Sequence, residues 1–305
     1  MGPKNNAIEL KDVCYRAGPS FEIRDLTLNV PYGSIYGFLG PNGSGKTTTI
    51  RLFTGMHQAT SGEISLLGRP IPKSAPQAMA RTGYVPETPH LYEALTVAES
   101  IRYHASFFPT WDDEWAGELL GRMALDPDQR VGRLSKGETG KLIILQALAQ
   151  KPDLLVLDEP TDGLDPVVRR DVLTAILDYV SVAGATVFIS SHLVHELERI
   201  CDWVGVLDHG DLVAELPMQS FKNGIKRIRV TDPPDTPGDT PFVLLSRGST
   251  NGLSSGETWI VRGWQAPMTQ YFDGVGATVR EVVDLDLEEG FVELLRSTRP
   301  NPTRG

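Results

Sequence analysis

The run Gly40-Pro41-Asn42-Gly43-Ser44-Gly45-Lys46-Thr47, continued by Thr48, sets two glycines five positions apart and ends on a lysine and a hydroxyl. It follows a β-rich stretch, Ser34–Leu39, and opens a stretch that reads as helix, Thr47–Thr54. Glycines let the backbone curl until consecutive N–H groups point inward, and a helix N-terminus adds a dipole that favours an anion. In that strand–loop–helix context the pattern is a phosphate loop. Lys46 would bridge the β- and γ-phosphates of a nucleotide, and the Thr47 hydroxyl would ligate Mg²⁺. Alone, the loop specifies a nucleotide binder and no particular machine.

A second group of chemistry-bearing residues ends an apolar run. Leu154-Leu155-Val156-Leu157 leads into Asp158-Glu159, and the carboxyl ends of strands in a parallel sheet face the ligand crevice. Asp158 there can hold Mg²⁺, and Glu159 can orient or deprotonate the water that attacks a γ-phosphate. The turn Thr161-Asp162-Gly163-Leu164-Asp165 follows at once. His192 closes another strand-like run, after Ser190-Ser191, where an imidazole N–H would sense the γ-phosphate charge; His195 and His209 read as structural.

Positioning these groups takes an α/β domain. From Ala7 to about Glu215, short β-type runs alternate with helical stretches, and Thr186–Ile189 and Val204–Leu207 share the continuous apolar pattern of doubly buried strands. Between about His90 and Gln150 the pattern turns helical, with Val97, Ile101 and His104–Ala105, then Leu119, Leu120 and Met123. This is a helical insertion into the core. After Ile228 the composition shifts. Thr231–Thr240 and Ser246–Gly256 read as loops; Phe242–Leu245, Thr258–Val261 and Thr278–Val283 as strands; Leu287–Arg296 as an amphipathic helix with Phe291, Leu294 and Leu295 on one face. Trp259 and Trp264 would pack a small core there, and the tail Pro300–Gly305 reads as disordered.

Bulk properties narrow the role. The 305 residues are 40% hydrophobic and 22% charged, ordinary for a globular protein. A net charge of −10 argues against nucleic acid, which calls for a basic face. Cys14 and Cys201 lie far apart in no metal-ligand spacing, which suits a reducing compartment. The N-terminus lacks the apolar core of a signal peptide, and no run approaches the roughly 18 apolar residues of a membrane span. A membrane process would need its spanning part from another chain.

Leu134-Ser135-Lys136-Gly137-Glu138, shortly before the Asp158 strand, completes an ordered set that resembles the ABC transporter ATPases. Their signature is commonly LSGGQ. The resemblance covers Ala7 to about Glu215. It implies a P-loop NTPase fold of the ABC type, with a mixed sheet core, a helical insertion and here a small C-terminal α+β appendage. It also implies ATP and Mg²⁺ as cofactors, and adenine stacking on Tyr15, 25 residues before Gly40. Thr161–Asp165, with Asp165, resembles the D-loop, and His192 the switch histidine. The signature would make a second anion site on a helix N-terminus that reaches the γ-phosphate held by another copy. Two copies would then sandwich two ATP head to tail. Each site takes Tyr15, Lys46, Thr47, Asp158, Glu159 and His192 from one chain and Ser135, Lys136, Gly137 and Glu138 from the other. The remaining partner is a membrane-spanning permease, which places the chain at the cytoplasmic face of the cell membrane.

Two departures stand out. The Q-loop position after Gly83-Tyr84-Val85-Pro86 is Glu87, still able to ligate Mg²⁺, and the signature glutamine is Glu138, with Lys136 replacing a glycine. Both acids make the expected site more negative than the family pattern. Phe107-Phe108-Pro109-Thr110-Trp111-Asp112, Leu134–Gly137, Asp165–Arg170 and the terminal helix resemble a YtrB-like subgroup of exporter-type ATPases; the aromatics also read simply as packing of the insertion. The expected division is an ATPase domain over 1–225, with its helical part at about 88–150, and an accessory domain over 226–305. A soluble ABC ATPase and an importer ATPase are the alternatives.

Overall fold

The computed structural model describes residues 5–18, 21–234, 237–249 and 256–298. Along the chain run β1 (Asn6–Ala17), β2 (Phe21–Pro31), β3 (Ile35–Leu39), α1 (Lys46–Phe53), β4 (Ser61–Leu66), β5 (Arg69–Ile71), α2 (Ala75–Met79) and β6 (Thr82–Val85). There follow α3 (Val97–Ala105), α4 (Asp113–Arg122), α5 (Lys136–Ala149), β7 (Leu154–Asp158), α6 (Pro166–Ala183), β8 (Thr186–Ser191), α7 (Val194–Leu197), β9 (Trp203–Asp208) and β10 (Asp211–Pro217). The last part holds α8 (Met218–Gly224), β11 (Ile225–Thr231), β12 (Val243–Ser249), β13 (Gly256–Arg262), α9 (Thr269–Gly274), β14 (Thr278–Asp284) and α10 (Leu287–Thr298).

A six-stranded sheet, ordered β10-β9-β3-β8-β7-β6, forms the centre. Its strands from β9 to β6 are parallel, and β10 is antiparallel to β9. Every residue of β3, β7 and β8 is buried, as continuous apolar runs require. Strand alternation splits these residues between two cores. Leu154 and Val156 face one side with Phe38, Phe188, Ile50 and the antiparallel sheet β2-β1-β4-β5. Leu155 and Leu157 face the other with α5 and α6.

The insertion does not keep a core of its own. Leu142–Ala149 of α5 are all buried and belong to the core under the central sheet, because a helix that is apolar all round must be covered all round. Phe107 departs from the packing expectation: it is 62% exposed. It stands edge-on to Tyr103, which stands edge-on to Tyr92.

Beyond β10, the sheet β12-β13-β11-β14 covers a separate cluster in which Trp259, Phe272, Phe242 and Trp264 are buried. Ser246–Gly256, expected as a loop, begins as strand: β12 continues to Ser249, paired with β13 through Ser249 and Glu257. Residues 250–255 and the tail Pro300–Gly305 lie outside the described residues. Helix α10 turns back on the part of the chain that precedes β11. Leu287, Phe291, Leu294 and Leu295 join the core that holds Val194, Leu197, Met218 and Phe221.

Candidate functional site

Strands β3, β7 and β8 are neighbours, so their carboxyl ends meet: Leu39 pairs with Ser191, and Asp158 with Ser190. The loop leaving β3 wraps around its own lysine. Lys46 Nζ donates to Gly40 O at 2.6 Å and Pro41 O at 3.3 Å. Gly45 has φ of 114° at the helix cap, and a Cβ there would lie 2.6 Å from Phe21 Cζ. A Cβ on Gly40 would meet Leu207 O at 2.5 Å. Both positions therefore demand glycine. A cavity of ≈ 490 Å³ opens over this loop, lined by Asn42, Gly43, Gly45, Lys46, Thr47 and Thr48, with Phe21, Ala17, Glu87 and Glu159 at its margins.

Glu159 is the centre of charge. Its residue has φ of 49°, an uncommon conformation for a non-glycine, and its N–H donates to Ser190 Oγ at 3.0 Å. Lys46 Nζ lies 3.0 Å from Glu159 Oε1, with both side chains over nine-tenths buried. The contact is ionic and not aligned as a hydrogen bond. On the other oxygen, His192 presents Nδ1 at 2.9 Å and its backbone N–H at 3.3 Å.

Asp158 is fully buried. Burial raises its carboxyl above the ordinary range, against the Ser190 hydrogen bond and the nearby Thr47 hydroxyl that pull it down; Glu87 and Glu159 add to the rise. Ser190 Oγ donates to Oδ1 at 2.7 Å, while Oδ2 is buried without a partner. An orphaned carboxylate oxygen beside the Thr47 hydroxyl fits a hard divalent cation such as Mg²⁺. Glu87, exposed at the cavity margin, fits as a further oxygen donor.

Ser135 to Glu138 lie outside this cavity. Ser135 caps α5, accepting from Glu138 N at 3.2 Å, and Glu138 Oε2 accepts from Ser135 N and Ser135 Oγ, each at 2.8 Å. The acid in place of glutamine thus closes a capping box. Those hydrogen bonds, the backbone one foremost, hold the Glu138 carboxyl below its ordinary value. Lys136 reaches Asp162 at 3.5 Å, and a Cβ on Gly137 would sit 3.3 Å from Val168. The first turns of α5 and α6 are therefore neighbours. Asp165 is occupied as the N-cap of α6, accepting from Val167 N and Val168 N.

The structure brings Gly40 to Thr48, Glu87, Asp158, Glu159 and His192 together; it does not bring Tyr15. That ring stacks on His57 at 5.4 Å, and the aromatic at the cavity is Phe21. The strand register separates the two rings: Tyr15 pairs with Ile23 inside the β1–β2 ladder, whereas Phe21 begins β2 and overlies Gly45. Ser190 is the other site residue to which sequence alone gave no role; its place just before His192 was the available signal. His195 and His209 are exposed and lie outside the cavity. A larger groove of ≈ 760 Å³ lies at the amino ends of the same strands, near Trp115, Asp153 and Tyr179, away from this chemistry.

Residues 23–162 match the family model described as ABC transporter. The chain is 36% identical over 217 residues to the bacitracin transport ATP-binding protein BcrA of Bacillus licheniformis, covering 70% of this chain and 71% of that protein. It is 37% identical over 213 residues to the Nod factor export ATP-binding protein I of Cupriavidus pinatubonensis, covering 68% and 65%. Among solved structures, one described as the ATP binding subunit of an ABC transporter superposes with a TM-score of 0.64 at 29% identity, covering 71% of this chain and 92% of that one. With the family match spanning the phosphate loop and the Asp158–Glu159 strand, and relatives 36–37% identical over some two thirds of the chain, the chain belongs to the ATP-binding subunits of ABC transporters.

Proposed function

We propose that this ATPase subunit powers an exporter, working as a head-to-tail pair of copies beneath a membrane-spanning permease. The observation that carries the catalytic reading is the Glu159 carboxylate, held between Lys46 and His192 at the mouth of the phosphate loop. When ATP enters, Lys46 exchanges Gly40 O, Pro41 O and Glu159 for phosphate oxygens. Glu159 Oε1 is then free to take a proton from the attacking water, while His192 fixes Oε2. Thr47, Asp158 and Glu87 would hold Mg²⁺, which supplies charge neutralisation on the phosphates. Asp165 braces the turn beside that water, and Phe21, in place of Tyr15, offers the adenine a stacking face.

The second copy is argued from what the cavity lacks. Ser135, Lys136, Gly137 and Glu138 form a capped helix N-terminus outside it, suited to a γ-phosphate presented by another molecule. Export is argued from relatives named for bacitracin transport and Nod factor export. Among the described residues, no helix is long and apolar enough to cross a membrane, so the permease would be a separate chain and the subunit would sit at its cytoplasmic face. The exposed Tyr92–Tyr103–Phe107 row beside the Glu87 loop suits that contact. The YtrB-like assignment rests on the Phe107–Asp112 and Asp165–Arg170 motifs. The division into an ATPase domain, 1–225, and an accessory domain, 226–305, rests on the separate Trp259 cluster.

Steady-state ATP hydrolysis by Glu159→Gln is the test. Turnover should fall by about 10²-fold or more with ATP binding retained; hydrolysis at the wild-type rate would sink the assignment.

A further inference from the structure

Helix α7 is a single turn, two residues past His192, and carries a buried acid that the chemistry above does not use. Glu196 is 8% exposed. Its Oε2 accepts from Thr161 Oγ1 at 2.5 Å, and its Oε1 lies 2.6 Å from Arg169 Nη1. Thr161 stands two residues after Glu159, at the start of the turn whose Asp162 N–H returns to Glu159 O. Arg169 lies in the first turn of α6; its Nη2 donates to Leu164 O, inside that same turn. One carboxylate thus ties three segments: the exit from β7, the helix capped by Asp165, and the turn that carries His192.

We propose that Glu196 is a positioning residue for hydrolysis, holding the His192 turn and the Thr161–Asp165 turn in one register. Glu159 is gripped from both sides of this tie. Its own backbone begins the Thr161 turn, and its Oε2 is held by His192. If α7 slides relative to α6, the His192 contact and the direction of Glu159 change together. Burial of the Glu196 side chain, 4% exposed, makes the tie costly to break, because removing either partner leaves the other's charge uncompensated. Helix α10 packs against the same α7 through the shared core, so the C-terminal part backs the element that Glu196 anchors.

The inference rests on the reading of Glu159 and His192 as hydrolytic groups, and the experiment separates the two. ATP hydrolysis and thermal unfolding are measured on the full-length chain for wild type, Glu159→Gln, Glu196→Gln, Arg169→Gln and the Glu196→Gln/Arg169→Gln double variant. Glu196→Gln keeps an oxygen for Thr161 but strands the Arg169 charge. It is expected to lower kcat about tenfold with KM for ATP within about twofold. The double variant, an amide pair free of stranded charge, is expected to recover part of that loss. A folded Glu196→Gln protein with wild-type kcat overturns the proposal, as does a loss confined to KM or a double variant as impaired as the product of the singles. If Glu196→Gln does not fold, Arg169→Gln alone decides: lowered kcat at constant KM supports the tie, and unchanged kcat overturns it. Wild-type turnover in Glu159→Gln would instead remove the underlying reading.

Discussion

Lys46 Nζ and Glu159 Oε1 stand 3.0 Å apart in the lining of the phosphate cavity, each side chain almost wholly enclosed. The lysine meant for phosphate is thus engaged by the carboxylate meant for water. Binding must break this contact, and a γ-phosphate then faces the Glu159 charge across the space the lysine leaves. Two effects oppose each other: the ion pair pre-positions Lys46, and the carboxylate repels the incoming anion. Because close charges in an enclosed site interact strongly, repulsion should dominate. Glu159→Gln is therefore expected to bind ATP about tenfold more tightly than wild type, measured by titration calorimetry without turnover. Lys46→Ala should lose most binding.

Phe21 and Tyr15 offer a direct comparison of which aromatic meets the base. Stacking a base on an aromatic ring contributes about 1–3 kcal/mol, so Phe21→Ala should weaken ATP binding by roughly tenfold. Tyr15→Ala removes a ring already stacked on His57 and should change the dissociation constant by less than about twofold. The same titration with inorganic triphosphate should erase the Phe21 effect, since no base is present. Equal weakening by both variants would return the stacking role to Tyr15.

The contrast between these rings shows which parts of the site could be read ahead of the fold. The phosphate loop was legible because backbone geometry forces glycine at 40 and 45, where any Cβ would strike Leu207 O or Phe21. The Asp158–Glu159 strand was legible because its apolar run must be buried on both faces. Tyr15 was not, since a distance along the chain does not reveal which β1 residues the β2 ladder turns toward the loop. Glu138 was read as a surplus charge at the phosphate. Only the α5 cap shows it bound to its own Ser135. Helix α10 was legible as amphipathic, but not as part of the main core, because periodicity specifies a face and not its partner.

That cap supplies a pH-dependent prediction. Glu138→Ala should lower stability by about 1 kcal/mol, the usual worth of a side-chain helix cap, whereas Glu138→Gln, which preserves a capping box, should cost less. The Glu138 carboxyl titrates below its ordinary value in the folded chain. Its contribution is therefore fully present above the ordinary glutamate pKa and lost as pH falls through the lowered one. The stability gap between wild type and Glu138→Ala, measured by urea unfolding at a series of pH values, should be constant near neutrality and close toward acid pH.

Two apolar truncations distinguish a docked C-terminal part from a loosely attached one. Leu294 on α10 is 1% exposed in the core shared with α7, α8 and the central sheet, whereas Trp259 is buried in the separate cluster of the last sheet. Removing a buried leucine to alanine costs about 2–5 kcal/mol. Because the Leu294 cavity opens in the main core, Leu294→Ala should lower the melting temperature of the ATPase part by about 5–15 °C, and ATP should restore part of the shift by binding the folded state. Trp259→Ala weakens a cluster that does not include the phosphate loop. It should lower or split off an earlier transition in differential scanning calorimetry that ATP does not move. If Leu294→Ala affects only an ATP-insensitive transition, α10 belongs energetically to the last sheet and does not brace α7.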